Sequence, residues 1–402
     1  MYRLTLLDKV LLVSGITISI IYYVLSTVYN GSLPAPFFYV KSDTFMDFYH
    51  IQYWTYDAAR YTEWKSIYPP FSFWLLSFFP YSDNGYDPLI LREEGVFYLI
   101  GSYVITTILI LYFQSKTIMY SNKILLIMLL SIPFLFAIER GNLLIYALLF
   151  LLISVLNYRN SFVFGLFLAM AISIKIYLIA LLFIPLLNLH FFKIVLTLAL
   201  VLVINVVSAN LLGDSNWLLF MDNIFEFSSD PKHYEWSYFT YSYQNILLAF
   251  TELNSKYKDI ATWSHILTLS TTFIFFLFVS IKYLLSSSSF RDKGRNTLFL
   301  LLIMLIMIVV KNSGGYVFIL LFPFLSSIIF NRASLYVLLL LLLPIEIPFM
   351  TLDSITMESL ISGQQVEISR DVTSGMILRP LLFLILYYMI SINFLRKKRV
   401  HA

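Results

Sequence analysis

The sequence predicts an all-α fold. About twelve transmembrane helices are expected, with short surface helices in a first long loop outside the membrane. Three observations lead there. Hydrophobic residues make up 59% of the 402 positions and charged residues only 12%, with a mean hydropathy of +0.81. Soluble chains are about 25% charged. Leu, Ile, Phe and Val fill long runs on all sides, as helices surrounded by lipid require. Finally, charge alternates in sign preference from one connecting segment to the next.

The first run follows Arg3 and Lys9 and lacks a small-residue cleavage site, so it reads as a retained first span with a cytoplasmic N-terminus. The apolar runs fall near 10–30, 96–114, 123–138, 143–156, 161–174, 176–190, 194–211, 263–284, 297–310, 316–330, 333–350 and 376–395. With the N-terminus inside, the inner loops carry Lys116, Lys123, Arg159, His190, Lys193, the stretch "SSSSFRDKGR", Arg332 and the tail "RKKR". The outer segments are then 31–95, 139–142, the surroundings of 175, 212–262, 311–315 and 351–375. Segment 31–95 holds eight acidic residues against four basic ones. It and 212–262 are long and rich in Trp and Tyr, which suits amphipathic helices lying on a membrane surface. The chain is expected to form one domain, residues 1–402, that works on its outer face in a bacterial inner membrane, with both termini cytoplasmic.

Five polar features interrupt the oil, and all are expected on that outer side. They are "MDFYHIQYW" at 46–54, "AIERGNLLIY" at 137–146, Lys175 within 169–187, "YSYQN" at 241–245 and "VVKNSGGYVF" at 309–318. A lysine placed in mid-bilayer costs about 2.5–3.5 kcal/mol on insertion scales, although a long side chain near a span end also snorkels to the headgroups. Taken singly, each feature also has a plain reading as an interfacial turn, a snorkelling lysine or an interface belt. Together they set three cations, Arg140, Lys175 and Lys311, beside a carboxylate-bearing aromatic stretch, on the side where cations are otherwise scarce.

That set fits one chemistry. Arg grips phosphate oxygens bidentately and Lys offers a point charge. A carboxylate takes a proton from a hydroxyl, and aromatic rings stack on sugars. Hydrolysis of a glycoside needs two carboxyl groups because its leaving group must be protonated. A phosphate leaves as an anion and needs cations instead. One base with two or three cations is therefore sufficient for transfer of a sugar from a polyprenyl phosphate, with inversion at the anomeric carbon.

The ordered motifs resemble a known group. "DFYHIQYW", "IYPPFSFWLLSFFP" at 67–80, "ERGNLLIYALLFLL" at 139–152 and "AMAISIKIYLIALLFIPLL" are similar in order and spacing to motifs of glycosyltransferase family 87. This is a group of type C (GT-C) membrane enzymes containing the polyprenol-phosphate-mannose-dependent mannosyltransferases. The resemblance implies a hexosyltransferase moving one mannose or other hexose from a polyprenyl-phosphate donor to a lipid-linked or cell-envelope glycan acceptor. It implies Asp47 as the base, with Asp43 one helical turn earlier as its competitor. Arg140 and Lys175, with Lys311, would contact the donor phosphate, while His50, Tyr53, Trp54, Tyr68, Asn142, Gln244 and Asn245 would line the cavity.

Other classes fit less well. There is no cysteine, no HExxH or HxxxH spacing and no Walker A or GxGxxG motif, so thiol, zinc and nucleotide chemistry have no support. No cofactor or nucleic-acid partner is indicated. Glu63, Asp83 and Asp87 could hold a divalent ion, but no spacing compels one. A polymerase or ligase working on polyprenyl-diphosphate glycans would be expected to carry arginines in a large outer loop, and 212–262 has none. A lipid or sugar transporter would be expected to show equally developed inner and outer gates.

Overall fold

The structure is a computed structural model. It describes residues 5–30, 44–79, 88–115, 122–229, 256, 258–309, 314–358 and 365–397. Its helices follow the apolar runs closely. In chain order they are α1 (Leu6–Asn30), α2 (Met46–Thr55), α3 (Pro70–Leu76), α4 (Pro88–Ser115), α5 (Asn122–Leu129), α6 (Ile132–Glu139), α7 (Leu144–Leu156) and α8 (Ser161–Ile172). A 3-10 segment (Ile176–Leu182) continues into α9 (Phe183–Leu187), followed by α10 (Phe191–Leu211), α11 (Leu219–Ser229), α12 (Lys258–Leu284) and α13 (Ser288–Val309). A second 3-10 segment (Gly315–Phe324) leads into α14 (Leu325–Ile328), then α15 (Arg332–Leu342) and α16 (Ser374–Arg396).

The expected count of twelve spans is not reached by helices of crossing length and composition. Among the described residues, five helical stretches are long and apolar enough to cross a membrane: Leu6–Val28, Ile90–Ser115, Phe191–Leu211, Thr262–Leu284 and Ser374–Arg396. The 22 residues of α13 are long enough, but Arg291, Asp292, Lys293 and Arg295 charge its first turns; the other helices are too short. The 13 residues of α7 rise about 20 Å at 1.5 Å each, against a hydrocarbon layer of ~30 Å. Local breaks cut the runs. Run 123–138 divides at Ser131, whose hydroxyl caps α6 through Phe134 N (3.4 Å), with Pro133 in the first turn. Run 316–330 is wound as a 3-10 segment containing Pro323. Such irregular backbone survives in a membrane protein only inside the protein, and Phe318, Ile319, Leu320 and Leu321 are fully buried. By contrast, the spans of α1, α4, α10 and α12 show most of their large apolar side chains to the surroundings, as lipid-facing helices do.

One element is not helical. After α15, the chain forms an antiparallel hairpin, β1 (Pro348–Glu358) and β2 (Gln365–Thr373), with Ile355 opposite Ile368 and Met357 opposite Val366. It occupies the expected outer segment 351–375. Its base is pinned by Arg379 of α16, whose side chain is buried. Arg379 Nη2 donates to Leu343 O (2.7 Å) and Glu346 Oε2 (3.0 Å), while Nε meets the other carboxylate oxygen and Nη1 meets Leu341 O. The guanidinium thereby satisfies carbonyls left over at the end of α15.

The two long aromatic segments expected as outer loops pack on each other. Arg60 faces Asp214 at 3.5 Å, both buried, and Asn223 Nδ2 donates to Tyr61 O (2.9 Å) and Ser66 O (3.1 Å). Polar groups thus gather at two ends of the helical body. One end brings α2, α3 and the turns after α6 and α8 together. The other joins Tyr158 to His190 (3.2 Å) at the opposite end of α8.

Candidate active site

α2 hangs from the turn between α6 and α7. Its first amides need partners outside the helix, and backbone carbonyls of that turn supply them: Phe45 N donates to Glu139 O (2.7 Å) and Asp47 N to Arg140 O (3.0 Å). Phe48, Tyr49, Ile51, Gln52 and Thr55 are buried. Asp47, His50 and Trp54, spaced three and four residues apart, share the remaining face.

The turn is built for this approach. Gly141 has φ of +68°, and a Cβ there would sit 2.7 Å from the Phe45 carbonyl oxygen and 2.9 Å from Phe48 Cβ. Arg140 and Asn142, on either side of this glycine, both reach the same carboxylate. Arg140 Nη2 lies 2.8 Å from Asp47 Oδ1, and Asn142 Nδ2 donates to Asp47 Oδ2 at 2.9 Å. The Asn142 amide is oriented from its other end, where Oδ1 accepts from Leu144 N (3.0 Å) at the start of α7. Tyr103 fixes the same turn by donating to Asn142 O (3.2 Å).

Lys175 arrives from a different direction. α8 ends at Ile172, and the extended backbone of Lys175 (φ −132°, ψ 94°) starts the following 3-10 segment. Its Nζ is 3.3 Å from the Tyr68 hydroxyl and 4.8 Å from the centre of that ring. Burial pushes the Asp47 carboxyl up. The Arg140 guanidinium, the hydrogen bonds from Arg140 and Asn142, and the charge of Lys175 outweigh it, holding the carboxyl below the ordinary carboxylate range. An ionised carboxylate offers about four acceptor positions, and these two bonds occupy one on each oxygen.

The structure therefore brings together Asp47, Arg140, Asn142, Lys175 and Tyr68 from the expected set. His50, Tyr53 and Trp54 form a flank beside them. Trp54 stacks on Trp64 (6.2 Å between centres), Tyr53 meets Trp64 edge-on (5.7 Å), and His50 lies 6.2 Å from Trp54. Asp43, Gln244, Asn245 and Lys311 lie outside the described residues, as do Asp83 and Asp87. Among the described residues, no group of three or more His, Asp or Glu side chains gathers as a metal centre would require.

Tyr316 and Asn205 were not foreseen. Tyr316 lies in the first turn of the second 3-10 segment and sets its hydroxyl against the Asn142 side chain, with its ring 5.5 Å from Phe136. Asn205 sits within the crossing helix α10, where an amide is expensive unless paired. Pro69 and Pro70 carry no N–H, so the first amide α3 offers is that of Phe71. Asn205 Oδ1 accepts it (3.3 Å), and Asn205 Nδ2 donates to Ser173 Oγ (2.8 Å). Ser72 Oγ donates to Ser173 O (3.2 Å). These bonds tie the turn carrying Lys175 to the segment carrying Tyr68. The signal in the sequence was an amide in the middle of the apolar run 194–211.

Replacing Asn205 by Ala leaves Phe71 N and Ser173 without that partner, at about 1–3 kcal/mol. The expected outcome is a roughly 10-fold higher KM for the sugar donor, with kcat changed much less. Steady-state kinetics of the purified variant check this; an unchanged donor KM would show the network to be packing alone.

A helical membrane protein with one ionised carboxylate set among cations and aromatic rings is the class that this fold and site define. The family model for glycosyltransferase family 87 matches residues 67–312, more than half of the chain. The protein belongs to glycosyltransferase family 87 and is a membrane glycosyltransferase. The matched stretch includes Tyr68, Arg140, Asn142, Lys175 and Lys311; α2 with Asp47 precedes it. Searches of curated proteins and of solved structures return no match.

Proposed function

We propose that the protein moves a single sugar, mannose or another hexose, from a polyprenyl-phosphate donor to a lipid-linked or cell-envelope glycan, with inversion. The observation that carries this reading is the convergence of Asp47, Arg140 and Lys175 from three separate parts of the chain. The acceptor hydroxyl oxygen attacks the anomeric carbon as the bond from that carbon to the phosphate oxygen breaks. The leaving polyprenyl phosphate takes the bonding electron pair, and Asp47 takes the hydroxyl proton through an unoccupied lone pair. A carboxylate with a depressed pKa is a weak base for a free alcohol. It suffices here because the hydroxyl becomes strongly acidic once its oxygen bonds to carbon, so proton transfer comes late.

Lys175, carried on the Tyr68 hydroxyl, is the phosphate contact, and Lys311, outside the described residues, is proposed as a further one. Arg140 divides its charge between holding Asp47 ionised and offsetting the charge that grows on the phosphate. The Trp54–Trp64 flank screens the sugar from water, which would otherwise attack in place of the acceptor. The distribution of basic residues supports the reading that this end faces the extracytoplasmic side of a bacterial inner membrane.

The test supplies purified protein in lipid discs with an extract of envelope glycolipids and one of two donors, a polyprenyl-phosphate hexose or a polyprenyl-diphosphate glycan. Consumption of the first alone is expected, with a higher donor KM in Lys175→Ala. Consumption of the diphosphate alone would overturn the donor assignment.

The acid limb of the pH profile tests Arg140. A carboxyl held below its ordinary value stays ionised further into acid, so wild-type turnover should persist there and fall only as pH drops through the depressed value. In Arg140→Gln the upward push of burial is less opposed. The limb then moves to higher pH, and turnover begins to fall in milder acid. Identical acid limbs in the two proteins would remove Arg140 from this role.

A further inference from the structure

At the end of α8 remote from Lys175, a second group of cations converges on one aromatic ring. Tyr158 lies in the turn between α7 and α8, with its ring buried. Lys193 Nζ stands 3.9 Å from the ring centre and also donates to the Tyr158 carbonyl; the Arg295 guanidinium carbon stands 4.1 Å from the same centre. The Tyr158 hydroxyl meets His190 Nδ1 at 3.2 Å. Lys193, Arg295 and Arg291 all lie near enough to His190 to act on it electrostatically, and among the described residues Asp292 is the carboxylate that opposes them there. Asp292 reaches Arg295 Nη1 at 3.3 Å, but its side chain is 62% exposed. Such a pair is weak. Arg295 Nε is buried with no hydrogen-bond partner among the described residues.

Ordinary interfacial snorkelling does not account for this arrangement. A snorkelling lysine extends its ammonium out to water or headgroups, whereas Lys193 is only 7% exposed and turned into the protein. Two basic side chains against one ring, answered among the described residues by the solvated carboxylate of Asp292, leave an excess of positive charge at the protein boundary. An anion is the missing partner, and Arg beside Lys suits a phosphate diester. The surroundings point to a lipid rather than a dissolved ion. Leu189, Phe191 and Phe192 at the start of the crossing helix α10, and Leu284 and Leu285 at the end of α12, are exposed apolar residues alongside the cluster, where acyl chains run.

We propose that Lys193, Arg295 and Arg291 form a binding site for the phosphate headgroup of an anionic glycerophospholipid. The 12 residues of α8, about 18 Å of helix, separate it from Lys175. It is therefore a second lipid-phosphate site, distinct from the one that handles the sugar donor. Its occupant bridges the turn 157–160 to the starts of α10 and α13, so binding is read as stability of the whole protein.

The test uses the full chain in lipid discs of phosphatidylcholine alone, or with about one third phosphatidylglycerol, plus a phosphatidylcholine arm with added inorganic phosphate. Phosphatidylglycerol is expected to raise the wild-type Tm by several degrees, and Arg295→Gln to lose most of that rise. Native mass spectrometry of the wild type should show phosphatidylglycerol retained in preference to phosphatidylcholine, and this readout needs no variant. Equal Tm in both lipids, or a full rise in a folded Arg295→Gln, overturns the site. An equal rise with inorganic phosphate overturns the lipid in favour of a soluble anion.

Discussion

Asp47→Asn is expected to lower kcat for sugar transfer by about 10²–10⁴-fold, the usual worth of a positioned general base. The substitution changes little in volume and keeps one acceptor oxygen for Arg140. It loses the charge that takes the proton, and it turns an amide NH2 toward Asn142 Nδ2, which already donates at 2.9 Å in the wild type. Since both Asp47 and Arg140 keep roughly a fifth of their side-chain surface open, the stability loss should be modest. Turnover per folded molecule, with a thermal unfolding curve alongside, separates the two effects. If transfer survives in Asp47→Asn and disappears in Asp43→Asn, the base is Asp43.

Gly141→Ala is expected to inactivate the protein without touching any reacting group. The left-handed backbone at φ +68° alone costs a residue with a side chain about 1–2 kcal/mol. The new methyl would also press on the Phe45 carbonyl oxygen at 2.7 Å, Phe48 Cβ at 2.9 Å and Phe45 Cα at 3.0 Å. Phe45 and Phe48 bracket Asp47, so relief comes by moving α2 off the turn, away from Arg140 and Asn142. A displacement near 1 Å at a reacting group costs about 10²-fold in rate. The expected result is a lower Tm together with at least that loss in turnover. Wild-type turnover in Gly141→Ala would mean that α2 need not be seated on this turn.

The site was more legible than the span count, and the reason is physical. Charged and amide groups are costly in an apolar chain, so Asp47, Arg140, Asn142 and Lys175 stood out as interruptions. The structure brings them together from 46–55, 139–142 and 173–175. Hydropathy registers apolar runs but not their rise or winding. It therefore counted 123–138, 176–190 and 316–330 as spans, where Ser131 with Pro133, and two 3-10 segments, leave no helix of crossing length. The hairpin was written in alternation, as in "VEISRDV" of β2, a period-2 signal that a search for long apolar runs passes over. Tyr316 was hidden because a tyrosine at a helix start reads equally as an interface belt. Asn205 was hidden because its partners, Phe71 and Ser173, are 134 and 32 residues away.

The most direct measurement is a mass-spectrometric profile of lipid-linked and envelope glycans from three strains: one lacking the protein, one restored with the wild type and one restored with Asp47→Asn at equal membrane abundance. The central claim predicts that the first and third share a glycan shortened by one hexose, that the second carries the complete glycan, and that unused polyprenyl-phosphate hexose accumulates where transfer fails. Identical glycans in all three strains would contradict it.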